Sequence, residues 1–261
     1  SDVHASGAGV YATVGYPSMG EGFNRVAYRQ RIAAVRAALE RELPTQSLLE
    51  LGVGTGVYGE LWSALGVSEW VGVDLSAEAV RRLTGRYPRA CFIQQDIGSP
   101  DLLDAPILRE RRGYFDVVTA IDVLYHITED SGFSSALRSA AQCVRPNGLL
   151  LVTDIFVEHE RRTAAHVCRR PLEQYLQILR GYDLALVTRI PVFSILNDVV
   201  SASNHLPSRV LFQAWRVLQK AVRTCPKRVR SEFGAGLAAA LLPVDRWLGR
   251  TGVARGVNLE V

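Results

Sequence analysis

The stretch Ser47–Leu51 (SLLEL) runs without a spacer into Gly52-Val53-Gly54-Thr55-Gly56. A short and almost wholly apolar strand is expected where both faces of a sheet are covered. Glycine at every second position then lets the backbone take positive φ and approach a ligand closely. The helix predicted at 57–65 follows at once, and its first turn offers unpaired N–H groups. Strand, glycine turn and helix start in that order point to a parallel crossover fold.

The alternation continues along the chain. Strands are predicted at 70–73, 90–94, Phe115–Ile121, 149–153 and 184–190, and helices at 24–43, Ala77–Arg86, 131–144 and 172–179. Ser76 is the expected N-cap of the helix at 77, and Pro146-Asn147-Gly148 is expected to end the helix at 131–144. From 204 to 249 the pattern is helical, with breaks expected at Pro207, Pro226 and the glycine-rich 234–236. A final short edge strand is predicted at 257–261. The expected fold class is α/β: a doubly wound, mostly parallel, seven-stranded Rossmann-like sheet with an N-terminal helical arm and a helical C-terminal insertion. In such sheets ligands bind beyond the carboxyl ends of the strands, so residues just after each strand carry the functional expectation.

Composition limits the alternatives. The chain has 261 residues, 48% hydrophobic and 21% charged, which excludes a disordered chain and a small disulfide scaffold. Its four cysteines, Cys91, Cys143, Cys168 and Cys225, form no CxxC pair, so zinc-ribbon and thioredoxin readings are poor and reduced thiols are expected. No apolar run has the length of a spanning helix, and the first residues lack the basic start and apolar core of a signal peptide. A cytoplasmic location is expected. Nearly all cations are arginine, as in GC-rich bacterial genomes. The net charge of +4 is uneven: nine basic residues and two acids lie between His205 and Arg250.

Gly54, Gly56 and Gly59 fit the dinucleotide pattern G-x-G-x-x-G, and Asp74 lies where a ribose-binding acid would sit. Two details argue against a nicotinamide cofactor: the acid Glu50 directly precedes the loop, and the glycines begin at Gly52 on the strand end. LELGVGTG, VGVDLS, the pair Asp96-Ile97, FDVVTAIDVLYHI and VRPNGLLLVTD, in that order, resemble the motifs of class I S-adenosylmethionine-dependent methyltransferases over residues 45–190. The resemblance implies that the backbone of Gly52, Gly54 and Gly56 holds the methionine part of S-adenosyl-L-methionine, with S-adenosyl-L-homocysteine as product. It implies that Asp74 binds both ribose hydroxyls, with Leu75 beside it, and that Asp96 and Ile97 bracket the adenine. Ile121 at the fourth strand end and Tyr16 of the arm are further expected contacts. Glu50 either reaches the cofactor amino group through water or braces the loop. On this reading residues 1–44 are an arm and helix over the cofactor site, 45–203 the cofactor-binding core, 204–250 a basic insertion or lid, and 251–261 the edge strand. Tyr11, Asn24, Arg25 and Tyr28 belong to the same arm.

Methyl transfer to a hydroxyl needs alignment and removal of a proton. The loop Ile121-Asp122-Val123-Leu124-Tyr125-His126 looks like the ubiquinone-biosynthesis-type branch, where a histidine occupies this place. Asp122 and His126 are four apart and share a face on a helical turn. They read as a base with its orienting carboxylate, or as ligands of a divalent metal, or His126 is a packing histidine. A metal is not favoured, because the loop has few carboxylates. After the fifth strand, His166 is the second candidate base, while His159 sits in a charged run and reads as solvated.

The loop after strand four lacks the Asn/Asp-Pro-Pro-aromatic motif of base amino methyltransferases. No Pro-Cys nucleophile and no double-glutamate loop is present either. The expected reaction is therefore base-assisted O-methylation of a small-molecule, sugar or lipid-linked acceptor. The alternatives are an RNA methyltransferase using the basic segment, or a catalytically silent cofactor-binding partner subunit. Around Trp215 the apolar and basic residues interleave as in an amphipathic helix. That helix is expected to be either a lid or a contact for an anionic acceptor or a peripheral membrane surface; nucleic acid is the less favoured partner.

Overall fold

Every residue of β1 (Ser47–Leu51) is buried, the polar Ser47 and Glu50 included. In the computed structural model, which describes residues 11, 15–40, 44–194, 196 and 206–251, it is the middle of a five-stranded parallel sheet. The other strands are β2 (Glu69–Asp74), β3 (Cys91–Gln94), β4 (Phe115–Ile121) and β5 (Val144–Thr153), in the order β3-β2-β1-β4-β5. β1 pairs in parallel with β2 through Leu49↔Val71 and with β4 through Leu49↔Val118. The chain order reverses between β1 and β4, the switch point beyond whose strand ends sheets of this kind bind ligands.

Eight α-helices accompany these strands along the described residues. In chain order they are α1 (Glu21–Leu39), α2 (Gly59–Ala64), α3 (Ala77–Arg86), α4 (Pro106–Arg109), α5 (Asp130–Cys143), α6 (Leu172–Arg180), α7 (Leu206–Thr224) and α8 (Lys227–Thr251). Ser76 caps α3 as expected, its Oγ accepting the N–H of Ala79 at 3.2 Å. α5 lays Phe133, Ala136, Leu137 and Ala140 into the core formed with Leu49, Val118 and Val73. Their spacing of three and four residues is one face of a helix.

The described sheet differs from expectation in places. Among the described residues it has five strands, not seven. The segment 184–190 has no regular structure; Leu186 and Val187 are exposed, and no described strand pairs with them. The strand predicted at 257–261 lies outside the described residues. A separate antiparallel hairpin, β6 (Arg161–Ala164) with β7 (Val167–Arg169), occupies a stretch whose polar sequence carries no strand signal. Pro146-Asn147-Gly148 also lies inside β5 rather than before it. The register jumps from Phe115↔Val144 to Val117↔Leu149, with Asn147 at φ 60°. Asp116 anchors this bulge by accepting from Arg145 Nε at 2.6 Å.

The chain divides into two units, Ala38–Arg189 carrying the sheet, and Ser1–Ala37 together with Ile190–Val261. In the second unit Trp215 of α7 is buried against Phe23 and Tyr16, at 6.0 and 5.3 Å between ring centroids. Asp245 of α8 accepts the backbone N–H groups of Ser194 and Leu196 at 2.9 and 3.0 Å. Pro226 separates α7 from α8 as expected. The glycines at 234–236 do not break α8: Gly234 packs on Met19 and Phe23, where a side chain would collide.

Candidate functional site

The glycine loop turns at the switch point. Gly52, Gly54 and Gly56 have φ of 78°, 51° and 71°, a region that L side chains rarely adopt. Their surroundings differ. A Cβ on Gly52 would overlap Val123 of the β4 exit loop, and one on Gly56 would overlap Leu83 of α3, whereas one on Gly54 would meet open space. Two glycines are therefore packing positions, and the third presents bare backbone outward.

Asp74, at the end of β2, holds that loop. Its Oδ2 accepts the N–H of Gly54 at 2.7 Å and its Oδ1 the N–H of Ser76 at 2.8 Å. Both oxygens keep acceptor capacity, since an ionised carboxylate has about four lone-pair directions. Leu75 beside it is 69% exposed, unusual for a leucine. After β3, Asp96 Oδ1 accepts Gly98 N–H at 2.8 Å, and Ile97 is buried in the core. Ile121 is buried at the end of β4.

Glu50 is buried, and Trp62 Nε1–H donates to its Oε2 at 2.8 Å. Burial pushes its carboxyl up to about 8, a shift that the Trp62 hydrogen bond only partly offsets. Of the two roles open to it, the bracing role fits this geometry, with Trp62 as the partner that the sequence did not reveal. Tyr16 lies in the other unit, where its N–H donates to Asn24 Oδ1 at 2.9 Å. Asn24 Nδ2 in turn donates to the Tyr11 carbonyl, and Arg25 pairs with Glu21.

The β4 exit loop abuts the glycine loop through Val123. Asp122 has φ 54°, a strained value for a residue with a side chain. Its N–H donates to Thr153 Oγ1 at 2.8 Å, and Thr153 Oγ1–H donates back to Asp122 Oδ1 at 3.0 Å. This reciprocal pair fixes the ends of β4 and β5 together. Leu124–His126 then forms one 3-10 turn. It carries His126 to the hairpin, where Nδ1 lies 3.1 Å from the His166 carbonyl oxygen and the two imidazoles stack at 5.7 Å. The two candidate bases, 40 residues apart, are neighbours. Asp122 bonds Thr153 and His126 bonds the His166 carbonyl, while the charge of Asp122 acts on His126 and favours its protonated form; among the described residues no three His, Cys, Asp or Glu groups converge to hold a metal.

A carbonyl oxygen can only accept, so Nδ1 of His126 carries the hydrogen and Nε2 keeps its lone pair. Partial burial lowers the His126 pKa from its ordinary value; the His166 carbonyl opposes this, and the charges of His166 and Arg169 add to it. The net direction favours the neutral imidazole, against the opposing charge of Asp122. Behind it Arg169 stacks on Tyr125 at 4.0 Å and donates to the fully buried Asp154 at 2.8 Å. Tyr175 OH donates to the other oxygen of Asp154 at 2.5 Å. Burial pushes Asp154 up while the Arg169 charge holds it down. Arg170, 1% exposed, donates to the carbonyls of Ile127 and Thr128 and to Asp130. Sequence reasoning missed Arg169 and Arg170, which lock the hairpin to the β4 exit loop. His159 lies in an exposed turn.

A family model described as a methyltransferase domain matches residues 23–226. The chain belongs to this methyltransferase family. It is similar to proteins named as probable S-adenosylmethionine-dependent methyltransferases from two strains of Mycobacterium tuberculosis. Identity is 29% over 124 residues, which is 48% of this chain and 41% of each relative. The chain thus spans under half the length of these relatives. Among solved structures it resembles a SAM-dependent methyltransferase from Leishmania major, with a TM-score of 0.53 and 12% identity over 64% of this chain and 66% of that one. It also resembles the N-methyltransferase NodS from Bradyrhizobium japonicum in complex with S-adenosylhomocysteine. That match has a TM-score of 0.47 and 19% identity over 64% and 78% of the two chains.

The strand ends present groups of the kind that the cofactor in its relatives' names requires. Gly54 offers unobstructed backbone, Asp74 offers two acceptor oxygens of the kind a ribose diol needs, and Leu75 and Asp96 offer an apolar face and an acceptor.

Proposed function

We propose that the chain methylates a hydroxyl of a small-molecule, sugar or lipid-linked acceptor, with S-adenosylmethionine as donor and His126 as base. The observation that supports this most directly is the Nδ1 contact of His126 with the His166 carbonyl, which leaves the Nε2 lone pair available on the loop that follows β4. The cofactor supplies a methyl group on a positively charged sulfur, and transfer is an in-line displacement.

The roles of the residues follow. Gly52, Gly54 and Gly56 let backbone approach the methionine part, and Asp74 accepts from the ribose hydroxyls. Leu75 and Ile97 flank the adenine, while Asp96 accepts from its amine. Ile121 closes the strand end. Asp122 and Thr153 hold the exit loop so that His126 meets the acceptor. Nε2 of His126 takes the acceptor proton as the new O–C bond forms and the sulfur–methyl bond breaks, leaving S-adenosylhomocysteine, and Arg169 with Tyr125 keeps the ring in place.

The test is incubation with methyl-labelled S-adenosylmethionine and a cell lysate, with the label sorted by fraction. Label in the organic-soluble or small aqueous fraction is expected. Label confined to a nuclease-sensitive macromolecular fraction would overturn the acceptor class, and no label with cofactor affinity intact would favour a silent partner subunit.

A further inference from the structure

The outward faces of α7 and α8 are apolar where a water-facing helix is normally polar. On α7, Val210, Ala214, Val217 and Ala221 are exposed and recur at helical spacing, while Trp215 and Val222 are buried on the opposite side. Arg216, Lys220 and Arg223 are exposed on one flank of this stripe, and α7 contains no acid. On α8, Val229, Phe233, Ala240, Val244 and Trp247 form a second exposed stripe, with Trp247 63% exposed. It runs for about 27 Å at 1.5 Å per residue. Arg228, Arg246 and Arg250 are exposed beside it. Glu232 is the one exposed acid of α8, because Asp245 is buried on backbone N–H groups.

Each helix already buries its other side, so these stripes are not the inside of a core. A symmetric pairing with a second copy would oppose cation to cation. Nucleic acid would meet the arginines but would gain nothing from exposed valine, phenylalanine and tryptophan. An apolar stripe with basic flanks and a tryptophan matches an anionic lipid surface, where apolar groups enter the headgroup boundary and cations meet phosphates. Among the described residues no helix is long and apolar enough to cross a membrane, so the contact in question is with a surface.

We propose that α7 and α8 dock this chain on the surface of an anionic phospholipid membrane. The proposal rests on these two helices and stands apart from the methyl-transfer reading.

The full chain carries its own reporter. Trp62, Trp70 and Trp215 are 1%, 6% and 1% exposed, so a change in indole emission on mixing with vesicles reports Trp247. With phosphatidylcholine vesicles containing about a third phosphatidylglycerol, a blue shift is expected that brominated lipid quenches and added salt weakens. Pure phosphatidylcholine vesicles should give little shift. Trp247→Glu should abolish co-sedimentation with the anionic vesicles, and the double variant Arg216→Glu, Lys220→Glu should weaken it about tenfold or more. Circular dichroism of both variants should match that of the parent chain. Equal binding to neutral and anionic vesicles, or undiminished binding of both variants, would overturn the proposal. So would a dimer that Trp247→Glu dissociates without any vesicle binding in the parent chain, or binding of an oligonucleotide alone.

Discussion

His126 and His166 stack with their ring planes 14° apart, yet the hydrogen bond between them runs from one imidazole to the other residue's backbone carbonyl. The two side chains are therefore unequal. One is held in a defined tautomer; the other contributes its main chain to that task and only a ring face besides.

His126→Ala should lower kcat by about two to four orders of magnitude, the usual contribution of a general base. Affinity for S-adenosylhomocysteine should stay within a few-fold of the parent. His166→Ala keeps its carbonyl and should cost much less. Single-turnover kinetics with calorimetric cofactor titration separates these outcomes; an equal loss in both variants would show that His166 acts through its ring.

The pH profile of kcat/KM should follow the same histidine. Its pKa is lowered by partial burial first and by nearby positive charge second. The acid limb should fall below the 6.5 of an ordinary histidine, with a flat region above it. A limb above 6.5 that persists in His126→Gln would assign the base elsewhere.

The three glycines should fail in different ways. Gly52→Ala and Gly56→Ala drive a Cβ into Val123 and Leu83 and should lower the melting temperature, by about 2 kcal/mol or more of stability each. Gly54→Ala has room for its methyl group and carries only the strain of φ 51°, about 1 kcal/mol. Its larger effect should be on cofactor affinity. Thermal melts with and without S-adenosylhomocysteine test the contrast.

Glu50 sets a stability trend with pH. Burial raises its carboxyl to about 8 from an ordinary 4.5, so between these values the folded state holds a proton that the unfolded chain releases. Stability contributed by this group is therefore lost as pH rises from 4.5 to 8, with a limiting slope of about 1.4 kcal/mol per unit. Glu50→Gln keeps an acceptor for Trp62 and should flatten that slope. Urea titrations at pH 5 and 7.5 read it directly.

Arg169→Met should destabilise the sheet-bearing unit by about 3 kcal/mol or more, because it strands the buried Asp154 without its cation. The double variant Arg169→Met, Asp154→Asn should recover part of that loss in equilibrium unfolding.

The central strands and the acids at their ends were legible because each is written locally. β1 to β4 are short apolar runs, and Asp74 and Asp96 stand at or just past strand ends. What the sequence concealed is carried by distant pairs. The β6–β7 hairpin has four exposed residues in its first strand and no alternation to read. Yet that hairpin is what brings His166 to His126. The converse failure is 184–190, whose apolar letters promised a strand although no described neighbour pairs with it. The partner of Glu50 was hidden for the same reason: Trp62 reads as an ordinary helix-face residue until the fold points its N–H inward.

The contact of Gly52 with Val123 sets a rule for anyone who would redesign this chain. The loop expected to choose the acceptor leans its weight on the loop expected to hold the donor, with no layer of side chain between them. Grafting the 121–126 loop of a relative therefore needs a residue at 123 no bulkier than valine. A library that varies the acceptor side will select, unasked, on how well the donor is gripped.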